Sequence, residues 1–128
     1  MPHPVARSFA ISFLAAFVLL AETLFFHVTN FVLGYVPAMT VIGCAVAGIG
    51  VGAFLAHLRP IADRDMFAAC CGGSTVCLYI AAWVLLRYPA LPALLAATSA
   101  VFVFPSLYIA SAFSRGKASH VYLFDMLG

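Results

Sequence analysis

The sequence predicts an all-α integral membrane protein: a four-helix up-and-down transmembrane bundle forming one membrane domain over residues 1–128. Three observations predict it. Hydrophobic residues make up 66% of the chain and charged residues 8%, with a mean hydropathy of +1.14, which leaves too little polar surface to cover a water-soluble globule of this size. Four windows are long enough to cross a hydrocarbon core, which takes roughly 20 apolar residues per helix. The links between them are short, so that sequential helices are expected to be antiparallel neighbours.

The first helix is placed near residues 9–33, an apolar run from Phe9 to Leu33 with Glu22 about midway. The amino end, with Pro2, Pro4 and Arg7, lacks the small-residue cleavage site of a secretory leader, so this helix is expected to remain as an anchor. Gly34, Tyr35 and Pro37 read as a tight turn, and the second helix follows near 36–58. The polar link Arg59-Pro60-Ile61-Ala62-Asp63-Arg64-Asp65 leads to the third helix near 66–86, with Asp63 or Asp65 as its cap. Arg87-Tyr88-Pro89-Ala90-Leu91-Pro92 combines a helix stop with an interfacial aromatic before the fourth helix, near 91–113. Pro105 lies well inside that helix, where it removes a backbone hydrogen bond and predicts a kink, its freed carbonyl to be met by a neighbouring Ser or Thr. After Ser114-Arg115-Gly116-Lys117 the segment 118–128 is apolar again with one acid, and reads as interfacial or as the truncated start of a further helix.

Charge bears on topology rather than on a polyanionic partner. A net charge of +2 spread over several segments provides no basic cluster for nucleic acid or anionic lipid. Arg7, Arg59, Arg64, Arg115 and Lys117 fall on one side of a four-span bundle and Arg87 on the other, so both termini are expected in the cytoplasm of a bacterial inner membrane.

Small residues suggest where helices meet. Cys44, Gly48, Gly52 and Ala56 recur every fourth position, with Gly50 widening the groove, and Ala69, Gly73, Cys77 and Ala81 form a similar stripe on the third helix. Such stripes let backbones approach closely, and the two together predict a second-to-third helix seam. A dimer or partner interface is the alternative use of the same stripe.

Glu22 is the strongest functional hint. A carboxylate near the bilayer centre costs on the order of a few kcal/mol unless it is protonated, paired or watered. Glu22, His27 and Asn30 form the candidate buried polar site: Phe26, Thr29 and Asn30 are expected on the face of the acid at about one and two turns, and Thr23, His27 and Asn30 form an adjacent polar stripe. Such an acid either takes part in a proton path or cation site, or locks the bundle through a hydrogen bond. No second buried acid or intramembrane base completes a relay. His27 invites haem or pigment ligation as a single axial ligand, but His3, His57 and His120 lie too near the boundary to serve as a second one. Cys44, Cys70, Cys71 and Cys77 fit no zinc spacing and read as small apolar residues. No metal and no cofactor is expected.

Glu22 after an apolar run, the Gly34-Tyr35 turn, the Gly-rich stretch from Gly48 to Ala56, and the closing Tyr122, Asp125, Leu127 and Gly128 resemble the amino-terminal membrane region of bacterial spermidine-synthase-like membrane proteins. The resemblance implies that the closing motif opens a further membrane helix and that a cytoplasmic aminopropyltransferase-like domain commonly follows. His120 departs from the family, which more often has a small or basic residue near the tyrosine. The Gly-rich nucleotide-binding turn and the acidic residues of such a transferase are also missing, so this chain is expected to be noncatalytic. It is either the front of a longer protein or a reduced relative.

Two functions follow. One is a noncatalytic module that anchors or scaffolds a partner and binds a small cation or lipid near Glu22. The other is a small accessory subunit of a large respiratory or photosynthetic membrane complex. A transporter component or a pigment- or haem-binding subunit has less support. The expected surroundings are the lipid bilayer and a partner subunit or a second copy, not nucleic acid.

Overall fold

The computed structural model describes residues 4–58, 64–87 and 90–115, and all of these except Gly34 and Ala90 are helical. The four helices are α1 (Pro4–Leu33), α2 (Tyr35–Leu58), α3 (Arg64–Arg87) and α4 (Leu91–Arg115). Each contains a stretch long and apolar enough to cross a membrane. The outer surface agrees: Phe9, Phe13, Phe31, Tyr79 and Leu86 are exposed, Phe31 to 92%, an apolar exterior suited to lipid and not to water.

The boundaries follow local chemistry. α1 starts at Pro4, earlier than the hydropathy suggests, because proline at a helix start gives up an N–H that has no partner there. The link to α2 is Gly34 alone, with φ at +90°; its N–H donates to the Asn30 carbonyl at 3.1 Å, closing α1, and its own carbonyl accepts from Ala38 N–H at 3.3 Å. Tyr35 therefore opens α2, and Pro37 sits in its first turn, where an N–H is dispensable. Asp65 lies in the first turn of α3, favourable to the helix dipole, and Arg87 in the last. Asp63 and the rest of the link 59–63 lie outside the described residues, as do Tyr88 and Pro89.

α4 is the centre of the bundle. It packs on all three other helices, most extensively on α2, whereas α2 and α3 share no extended contact. The expected second-to-third helix seam is therefore corrected: the small-residue faces of α2 and α3 both turn to α4. A Cβ on Gly48 would run into the Ser99 carbonyl and come within 3.2 Å of the Phe102 Cβ, and one on Gly52 would strike the Ser106 hydroxyl and the Val103 carbonyl. On α3, a Cβ on Gly73 would touch the Phe104 ring at 3.0 Å. Gly50, expected to widen the groove, is exposed with open space around it.

The order of these contacts, Gly48 on Ser99 and Gly52 on Val103, makes α2 and α4 parallel. The alternation up, down, up, down thus persists, but the closest pair is not a sequence-adjacent one. One core cluster joins Ala21, Phe25, Val41, Ala45, Ala81, Val101 and Phe102; the other joins Ile11, Leu14, Cys70, Tyr108 and Ala112. Phe67 and Tyr108 meet edge to face at 5.5 Å in the second.

α4 runs through Pro105, which is buried in the core. The carbonyl that Pro105 leaves without its helical donor belongs to Val101, but the Ser106 hydroxyl donates to Val103 O at 3.0 Å instead. Thr98 and Ser99 likewise donate to carbonyls one turn back, Leu94 and Leu95.

Candidate functional site

α1 divides by helical phase into two faces. At about 100° per residue, Ile11, Leu14, Ala15, Ala21, Phe25 and Thr29 share one face, and all are buried. Glu22 belongs to this face and is half-buried. The midpoint of the span Ser8–Leu33 falls between Leu20 and Ala21, so Glu22 lies about 2 Å from it along the axis. Among the described residues the Glu22 carboxylate forms no hydrogen bond or ion pair.

His27 and Asn30 do not join Glu22 in one buried site. Both are exposed, with Thr23, on the side of α1 turned away from the bundle; His27 is about 140° from Glu22 around the helix, whereas Asn30, at about 80°, is no farther from it than Leu14. His27 lies about 10 Å and Asn30 about 14 Å from the span midpoint, so Asn30 reaches the edge of a roughly 30 Å hydrocarbon core. Thr23 donates to Leu19 O at 2.9 Å, and the His27 ring tilts against Phe26 at 5.6 Å. The group that does share Glu22's side is Thr29, fully buried, with its hydroxyl lacking a partner.

A groove with a volume of about 490 Å³ lies between α1, α2 and α4, and Glu22 is not among the residues that line it. Its walls include Ala15 and Leu19 of α1, Ile49 and Ala53 of α2, and Ser106 and Phe113 of α4. Among the described residues no charged side chain lines it, and the Ser106 hydroxyl is the polar one that does. Val18 and Leu19, which wall the groove, lie one turn before Glu22, and helical side chains lean back toward the amino end. Sequence reasoning found the acid but not the groove, whose walls are ordinary apolar residues from three helices.

A smaller cleft of about 270 Å³ lies between α1 and α3, walled by Phe13, Leu14, Phe17, Cys71, Ser74 and Thr75. Ser74 is buried with an unpartnered hydroxyl, and so is Ser111 on α4, whereas Thr75 donates to Cys71 O at 2.8 Å.

The remaining sequence candidates are dispersed. Cys70 is buried and Cys44, Cys71 and Cys77 are half-buried, all as free thiols. Among the described residues no three His, Cys, Asp or Glu side chains converge to hold a metal ion. Along the packing stripes Gly48, Gly52, Ala56 and Ala81 are buried, Gly73 is half-buried, and Ala69 faces outward. His57 is exposed at the end of α2. His3 and His120, the bases Arg59 and Lys117, and the closing residues Tyr122, Asp125, Leu127 and Gly128 lie outside the described residues. No family model, curated protein or solved structure matches the chain, so nothing beyond the quoted residues links it to spermidine-synthase-like membrane regions.

Proposed function

We propose that the chain is a noncatalytic, multi-pass membrane module of the spermidine-synthase-like kind that anchors or scaffolds a protein partner in a bacterial inner membrane, with both termini cytoplasmic. The observation that carries the reading is the division of α1. One face is committed to the bundle, while Thr23, His27 and Asn30 present a polar edge on the outer surface. Side chains of this kind hydrogen-bond across helices in membranes, and the outward edge suits a neighbouring helix better than lipid tails. Glycine contacts to α4 supply a rigid support for that edge. Purification from the native membrane in mild detergent tests it. A partner should be retained by the wild type and lost from a His27→Ala/Asn30→Leu variant; a lone chain in both preparations would count against the scaffold. The topology is tested by fusing a reporter enzyme, active only in the periplasm, after Gly128. It should be silent.

The broad apolar exterior, with Phe9, Phe13, Phe31, Tyr79 and Leu86, favours a second reading: an accessory subunit packed inside a large energy-converting complex. Sedimentation separates the two, since such a subunit migrates with a very large assembly and a scaffold with one partner.

A further inference from the structure

We propose that the cleft between α1 and α3 is a binding site for a compact aromatic molecule carrying a carbonyl-type hydrogen-bond acceptor, whose ring lies against Phe13 and Phe17 and whose oxygen accepts from Ser74. Three features of the cleft carry this.

The first is an uncommitted donor. Ser74 lines the cleft, is 2% exposed, and its hydroxyl meets no partner among the described residues. Its neighbour Thr75 instead donates to the carbonyl one turn back, Cys71 O, at 2.8 Å. A hydroxyl buried without a partner costs free energy, so a ligand that brings an acceptor to it relieves that cost. A carbonyl does this better than an alcohol, because it adds no second proton to be placed. The other polar groups of the lining are the Thr75 hydroxyl, whose proton is committed, and the weakly polar Cys71 thiol.

The second feature is shape. The cleft holds about 270 Å³, at the small end of small-molecule sites, so its occupant is compact. α1 supplies Phe13, Leu14 and Phe17 to the lining, and two phenyl rings on one wall favour offset or edge-to-face contact with an aromatic body.

The third is depth. Ser74 lies about 3 Å and Cys71 about 8 Å from the midpoint of the α3 span, and Phe17 about 5 Å and Phe13 about 11 Å from that of α1, all toward the amino ends of their helices. The free hydroxyl is thus near the midplane. A phospholipid keeps its ester carbonyls at the edge of the roughly 30 Å hydrocarbon core and would set only methylenes against Ser74. A small lipophile carries its carbonyl to that depth. Thr23, His27 and Asn30 do not line this cleft, so the site and the scaffold proposed above stand or fall separately.

The test is photolabelling of the full chain in neutral-lipid nanodiscs by benzophenone, an aromatic ketone, with labelled peptides mapped by mass spectrometry. Saturable labelling should fall on the segments that contain Phe13 to Phe17 and Cys71 to Thr75. Two competitors of the same shape then read the hydrogen bond: fluorenone has the carbonyl, and fluorene has a methylene in its place. Fluorenone should displace the label at about tenfold lower concentration than fluorene in the wild type, and this preference should vanish in Ser74→Ala. Ser111→Ala, which removes another buried, unpartnered hydroxyl from α4 outside the cleft, should keep it. Labelling spread over the lipid-facing residues without saturation overturns the proposal, as does equal competition by the two compounds in the wild type. So does a preference that survives Ser74→Ala or is lost in Ser111→Ala.

Discussion

Adding a methyl group at Gly52 and adding one at Gly50, two positions apart on α2, are expected to change stability in opposite directions. At Gly52 the new Cβ would enter the space of the Ser106 hydroxyl and the Val103 carbonyl and lie 3.0 Å from the Leu107 nitrogen. Two of these three atoms are backbone inside α4, so they yield only if the helices separate. Overpacking of this kind costs about 1–3 kcal/mol. Rotating Ser106 away breaks its 3.0 Å bond to Val103 O, which adds about 1 kcal/mol. Alanine returns about 1 kcal/mol through helix propensity, leaving Gly52→Ala less stable by about 1–3 kcal/mol. At Gly50 nothing lies within 4 Å, so only the propensity gain remains and Gly50→Ala should stabilise by up to about 1 kcal/mol. Reversible unfolding by SDS in mixed micelles, followed by far-UV circular dichroism, measures both. Ser106→Ala added to Gly52→Ala should recover only part of the loss, since the Val103 carbonyl stays in place. Equal shifts for the two glycines, or full recovery in the double variant, would refute α2–α4 contact as the source of the effect.

Three further outcomes are expected in the same micelles. Gly34→Ala should destabilise by about 1–2 kcal/mol although open space surrounds it, because the strain lies in its φ of +90°; no loss on unfolding would mean that the link adopts another conformation. Ser74→Ala should raise stability by about 1 kcal/mol, since it removes a buried hydroxyl without a partner, while Thr98→Ala, which deletes a hydroxyl donating to Leu94 O at 2.8 Å, should not. Cys70, 2% exposed, should react last of the four thiols with N-ethylmaleimide, as read by peptide mass mapping of the folded protein; early modification of Cys70 would contradict its place in the core.

Much of the fold was legible because lipid imposes a one-dimensional rule on helices: length and hydropathy mark the spans, and Gly34 marks the first turn. Partner choice was not legible by that rule. The stripe Gly48, Gly52 and Ala56 announces a close approach, yet nothing in α2 names the helix that approaches, and the short link at 59–63 favours α3 for the wrong reason. The matching surface on α4 is made by the carbonyls of Ser99 and Val103 together with the Phe102 Cβ and the Ser106 hydroxyl, a mixture that forms no small-residue stripe in the sequence. Glu22 stands out in the sequence because it is charged. Its separation from His27, about 140° away, was already present in the helical phase; the outward turn of Asn30, about 80° away, was not.

A helix that every other helix packs upon, and that is the last of the four to leave the ribosome, sets the order of assembly. Until α4 enters the bilayer, the glycine face of α2 and the Gly73 face of α3 have only lipid against them, since these two helices have little contact with each other. Closure of the bundle is therefore a late event, in which both waiting faces are covered together as the final span arrives. A nascent chain halted before Leu91 would display those faces to the membrane, in the form that quality-control proteases and insertion chaperones are suited to sense.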